Sequence, residues 1–143
     1  MSKPLLHFAG DHAGFNLKKT LLDFFDSGFL VNDLGPFSED SCDYPDFAHL
    51  LAEEVLKTNS KGILICGSGN GVCISANRHA GIRAALCWQP ELATLAVQHN
   101  NANVLCIPAR FISEETAKQI VWAFLSATFE GGRHQRRIDK IEI

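Results

Sequence analysis

"ILICGSGNGVCISANRHAG", residues 63–81, runs from a continuous apolar segment through Cys66 into Gly67-Ser68-Gly69-Asn70-Gly71 and on into a short polar helical pattern. A strand, a glycine turn and a helix in that order are the repeating unit of a parallel α/β sheet. Glycines let a backbone turn through positive φ and approach a ligand closely. Free N–H groups at the start of the following helix suit an anion. The pattern lacks G-x-x-x-x-G-K-[ST], which excludes a P-loop. Its G-x-G-x-G spacing after a third strand is a weak match to a dinucleotide site. Cys66, directly before the loop, has two readings. It is a buried core thiol, the ordinary fate of a free cysteine, or a thiol facing a helix start, where a lowered pKa would make it a base or nucleophile.

Outward from this stretch the same unit recurs. "LLHFAG" (5–10), "GFLVNDLG" (28–35), "GILIC" (62–66), "IRAALC" (82–87) and "NVLCIPA" (103–109) read as five strands. Between them, Leu17, Leu21, Phe24 and Phe25 predict a helix over 14–27, and Ala48, Leu51, Ala52 and Val55 predict another. Pro90 suits the first turn of a helix over about 90–99. Ser113 can cap a helix to 127, with Gly131 and Gly132 as its stop. Apolar strands alternating with helices predict a doubly wound, Rossmann-like five-stranded parallel sheet with helices on both faces. Residues 1–143 read as one domain, closed by a tail that Ile138 and Ile141 would dock if it is helical.

In such folds ligands bind beyond the carboxyl ends of the strands. Asp11 and His12 follow the first strand, Cys66 the third and Arg110 the fifth. Asp11 and His12 could also simply cap the next helix, and Arg110 suits either a phosphate fork or a surface ion pair. On a helical tail Arg133 and Arg137 share a face at i, i+4 while Arg136 points away. That pair is a candidate phosphate clamp. His99 and Asn100 end a helix, where a histidine can serve only to satisfy last-turn carbonyls.

Composition excludes several functions. Thirteen Lys and Arg against 16 Asp and Glu leave a net charge of −3, too balanced to draw the chain to nucleic acid or a membrane. No apolar run approaches the roughly 20 residues of a membrane span, and the N-terminus does not resemble a signal peptide. Five cysteines (42, 66, 73, 87 and 106) without a C-x-x-C pair predict a reduced, cytoplasmic protein.

"GDHAGF", "DYP", "GILICGSGNG", "SANRHAGIRAA", "QHNNANVL" and "EGGRHQRR" together resemble the ribose-5-phosphate isomerase type B family, along essentially the whole chain. The resemblance implies an aldose–ketose isomerase of sugar phosphates that needs no metal or organic cofactor. It implies Cys66 as proton acceptor and His99 as the acid that opens the sugar ring, with Ser68 where relatives carry threonine. Substrate contacts are implied at Asp11, His12, Gly67, Ser68, Gly69, Asn70, Gly71, Asn100, Arg110, Arg133 and Arg137, and at Tyr44. One branch of the family has a glutamate base after the loop; Val72 stands there, so the chain resembles the cysteine branch. An enediolate intermediate would need donors already in place, which loop N–H groups supply at about 3–4 kcal/mol each in comparable sites. Competing readings are an isomerase of a hexose or tetrose phosphate, a nucleotide- or flavin-binding module, and a redox sensor at Cys66.

Chain direction adds an expectation about assembly. Helices run back against the strands, so His99, Asn100, Arg133 and Arg137 should lie at the far edge from Asp11, His12, Cys66 and Arg110. A five-residue strand separates the edges by roughly 17 Å. A homodimer with two shared sites, alone or within a tetramer, would join them.

Overall fold

The computed structural model describes residues 2–143. Strands β1 (Leu5–Gly10), β2 (Leu30–Asp33), β3 (Lys61–Cys66), β4 (Ala84–Leu86) and β5 (Val104–Pro108) form a sheet in the order β2-β1-β3-β5-β4. Every neighbouring pair is parallel. The helices are α1 (Phe15–Phe25), α2 (Tyr44–Thr58), α3 (Asn70–Ala76), α4 (Pro90–Asn100), α5 (Glu114–Ser126) and α6 (Arg133–Ile138), with a 3₁₀ turn at His12–Gly14 before α1.

The period of two along β3 builds two cores. Ile63 and Ile65 face α1, α4 and α5 through Leu21, Phe25, Val97 and Phe124. Leu64 and Cys66 face α2 and α3 through Ala48, Leu51, Val55 and Val72. Helices therefore cover both faces, as expected of a parallel sheet whose central strands are apolar throughout. Local chemistry sets the helix ends. The Ser113 hydroxyl accepts from Thr116 N–H at 3.1 Å, Pro90 opens α4, and Asn59 and Asn101 close α2 and α4 in the left-handed conformation.

The sheet order positions the site. From β1 the chain moves outward to β2, then crosses back to β3 on the other side of β1. The carboxyl ends of β1 and β3 thus flank a topological switch point, where a crevice opens between diverging connections.

Some local expectations are corrected. β2 and β4 are edge strands, so they are only partly buried, and β4 keeps three residues. Phe24 is half exposed; the buried stripe of α1 continues instead through Lys18, whose Nζ donates to Asp33 Oδ1 and Pro36 O, both at 2.6 Å. α5 stops at Ser126 rather than at the glycines: Ala127 is extended, and Thr128 and Phe129 are weak helix formers. Gly131 and Gly132, both at positive φ, turn the chain into α6. Ile141 is exposed and Ile138 only partly buried, so α6 is docked chiefly by His134. Among the described residues, no helix is long and apolar enough to cross a membrane.

Candidate active site

A cleft of about 590 Å³ lies over the switch point, lined by Asp11, His12, Ala13, Tyr44, Cys66, Gly67, Ser68, Gly71, Arg110 and Phe111. Its volume suits a small metabolite. Eight of the residues singled out in the sequence are thus brought together by three strand ends and the start of α2.

Each is held by identifiable contacts. Asp11 does cap the turn after β1: its Oδ1 accepts from Ala13 N–H at 2.9 Å and Gly14 N–H at 3.2 Å. Its own N–H donates to Ile65 O at 3.1 Å, tying the turn to β3. Capping and cleft lining are therefore one role for Asp11. The backbone N–H of Cys42 donates to His12 Nδ1 at 3.2 Å. With Nδ1 an acceptor, the neutral ring carries its proton on Nε2, leaving that nitrogen as a donor. Cys42 escaped sequence reading because it acts through its backbone, which side-chain type does not report.

Cys66 is buried, and the N–H of Gly69 donates to its Sγ at 3.2 Å. This thiol packs in the α2–α3 core, and the glycine loop also reaches its sulfur. Gly69 sits at φ +76°, and a Cβ there would come 2.4 Å from Leu86 Cδ1. Glycine at this position is doubly required, by conformation and by space. Asn70 N–H is taken up by Ser68 Oγ at 3.3 Å. Gly71 lies under the Tyr44 ring, where a Cβ would be 2.5 Å from Cε1. Arg110 donates its backbone N–H to Gly67 O at 3.0 Å, and its guanidinium lies against the Gly67 Cα.

His99, Asn100, Arg133 and Arg137 do not line this cleft. α4 runs back from Pro90, and residues 101–103 lead directly into the first residue of β5. β5 pairs Val104 with Gly62 and Pro108 with Cys66. His99 therefore lies beside the opposite edge of the sheet from Cys66. There it meets the tail. Its ring stacks on His134 with centroids 4.4 Å apart and planes 12° from parallel. Glu130 Oε1 stands 3.8 Å from His99 Nε2 and 3.6 Å from His134 Nε2. Burial chiefly lowers the His134 pKa, helped by His99, Arg133 and Arg137 and opposed by Glu130. Sequence reading missed Glu130 and His134, although their i, i+4 spacing was available as a signal. Arg133 and Arg137 are both exposed on α6.

The other thiols stand apart from this chemistry. Burial pushes Cys87 up to about 12 and Cys106 well up, holding both protonated. A hydrogen bond with Cys106 chiefly lowers Cys73, assisted by a backbone contact at Leu86 and opposed by burial.

Comparison with known proteins shows the family and the fold. The model of the Ribose/Galactose Isomerase family matches residues 6–141. The chain is 51% identical over 140 residues to the probable ribose-5-phosphate isomerase B of Mycoplasma genitalium, covering 95% of this chain and 92% of that one. A crystal structure of ribose 5-phosphate isomerase from Thermotoga maritima superposes with a TM-score of 0.96 at 48% identity, covering 99% of both chains. The Mycoplasma genitalium enzyme with bound ribulose-5-phosphate superposes with a TM-score of 0.93 at 48% identity, covering 99% of this chain and 95% of that one.

Proposed function

The chain belongs to the ribose/galactose isomerase family, and on that premise we propose that it interconverts ribose 5-phosphate and ribulose 5-phosphate through an enediolate. The observation that carries this reading is Cys66 Sγ, held by Gly69 N–H at 3.2 Å at the base of a cleft that also presents His12 and Arg110. Residues 1–143 work as one isomerase domain.

In this reading the Cys66 thiolate takes the proton from C2 of the open-chain aldose. The C–H electron pair forms the C1–C2 double bond, and the negative charge moves onto the carbonyl oxygen. The hydroxyl proton on O2 passes to the oxygen on C1, the electron pair left on O2 forms the ketone, and the C1–C2 double-bond pair takes the proton back from Cys66 at C1. Two loop N–H groups, those of Gly69 and Asn70, already serve Sγ and Ser68 Oγ. Gly67, Ser68 and Gly71 supply the N–H groups left for the enediolate oxygen. Asp11 holds the turn that presents His12, whose Nε2–H and the Arg110 guanidinium face the phosphate end. Tyr44 walls the sugar against Gly71.

His99 opens the furanose ring, with Asn100 beside it, and Arg133 and Arg137 complete the phosphate site. These four come from a second copy of the chain, because in one copy they belong to the other edge of the sheet. A homodimer with two shared sites is the smallest assembly that satisfies this.

A panel of aldose phosphates from four to six carbons, scored by kcat/KM, tests the assignment. Ribose 5-phosphate should rank first. Preference for a tetrose or hexose phosphate would keep the reaction and move the substrate. No turnover of any member would overturn the reading.

A further inference from the structure

The geometry points to Glu130 and His134 as positioning residues for His99, fixing its ring by a stack on one side and a shared carboxylate at its edge. This rests on the reading of His99 as the ring-opening acid. His99 is placed on the last turn of α4 with its side chain 41% exposed, so its own helix does not lock the ring. His134 is buried and lies nearly parallel beneath it, centroids 4.4 Å apart. Glu130 is fastened to α4 by its backbone N–H, which donates to Gln98 O at 3.0 Å. Its Oε1 stands near both Nε2 atoms, at 3.8 and 3.6 Å. That is ion-pair reach rather than hydrogen-bond contact. The turn at Gly131 and Gly132 brings all three groups together.

The arrangement has a chemical logic. An acid that protonates the ring oxygen must hold its proton and its plane while the sugar binds. A carboxylate at the ring edge and a stacked ring beneath it restrict rotation about the His99 side chain. Two imidazolium rings in such a stack would repel. Burial foremost lowers the His134 pKa, against Glu130, which disfavours a second charge beneath the His99 ring. The same three side chains bring their ligand atoms within 4.8 Å. Parallel ring planes, however, send the in-plane lone pairs side by side rather than toward one point, so the cluster is a stack and not a chelate.

The test uses the full chain and compares Glu130→Gln, His134→Ala, His134→Phe and His99→Ala. Two rates are read. One is isomerisation of ribose 5-phosphate, which needs ring opening. The other is exchange of the C1 proton of ribulose 5-phosphate with deuterated solvent, which does not, since that ketose has no free 5-hydroxyl to close a furanose. Glu130→Gln and His134→Ala should lower kcat for isomerisation about tenfold, with KM within about twofold and exchange nearly unchanged. His134→Phe, which keeps a ring to stack on, should retain more than half of kcat. The inference is overturned if exchange falls in parallel with isomerisation, if His134→Phe is as slow as His134→Ala, or if both Glu130→Gln and His134→Ala isomerise at the normal rate while His99→Ala is slow. Should His99→Ala itself isomerise normally, the reading of His99 as acid fails, and with it the ring that the pair would position.

Discussion

At the scale of single residues, the site depends on side chains that are absent as much as on those present. The Tyr44 ring occupies the space that a Cβ on Gly71 would need. Gly71→Ala should push the ring toward the substrate and reduce kcat/KM by about ten- to a hundredfold, the cost of a displacement near 1 Å. The far-ultraviolet circular dichroism of the fold should stay native, because Gly71 lies at the helix start and not in the core. Normal kinetics for that variant would mean that the ring moves aside without consequence. Cys66→Ala tests the sulfur more directly. It should abolish solvent exchange at C1 while inorganic phosphate still inhibits any residual turnover with its usual strength, since His12 and Arg110 remain. On α6 the one-residue difference between Arg136 and Arg137 is a similar discriminator. Arg137→Ala should weaken phosphate inhibition and Arg136→Ala should leave it alone; equal effects would contradict the i, i+4 face.

At the scale of elements, α1 and β2 are joined by a buried ion pair with a functional neighbour. Lys18 Nζ is fully buried and donates to Asp33 and to Pro36 O, at the start of the loop whose Cys42 N–H holds His12. Lys18→Met should cost roughly 2–3 kcal/mol in urea unfolding, the low end for a broken buried pair because Asp33 keeps some contact with water. It should also raise KM by loosening that loop. β1 carries a second buried polar group. His7 donates from Nε2 to Thr58 Oγ1 and accepts at Nδ1 from Asn32 Nδ2, both at 3.0 Å. Burial lowers its pKa, against the Glu54 carboxylate. As pH falls below about 6.5, the unfolded chain takes up a proton that the folded strand still refuses. Stability therefore declines with acidification until the lower folded pKa is passed, and is insensitive to His7 above that range. His7→Gln should flatten the decline in unfolding free energy between about pH 7 and pH 5; an unchanged slope would assign the acid sensitivity elsewhere. Apolar spacing and helix-start signals at Pro90 and Ser113 made β1, β3, β5 and four of the helices legible from sequence, because spacing records which face is buried and these residues mark where a helix begins. It could not report Lys18 as core, since a buried lysine is defined by a partner fifteen residues away. Nor could it place His134, whose burial comes from a stack across two elements. Asp11, His12, Cys66 and Arg110 were legible because they follow strands; Tyr44, at the start of α2, came only with the family resemblance, and Cys42 was not legible, because a backbone N–H leaves no mark on residue choice.

At the scale of the whole molecule, strand and helix directions separate two groups of proposed site residues. Co-expressing Cys66→Ala with His99→Ala should restore up to half of the normal activity per mixed dimer, since one of its two sites would carry both lesions and the other none. Isolated mixed dimers without activity would place both groups in one copy. The return path of α4, which leaves His99 level with the first residue of β5 while Cys66 pairs with its last, has a further consequence for the rate law. A monomer would hold two halves of different sites and turn over nothing. Below the dissociation constant of the pair, velocity should then rise with the square of enzyme concentration and show a lag after dilution. The cell would thus set the activity of this chain partly through how much of it is made, with no effector required.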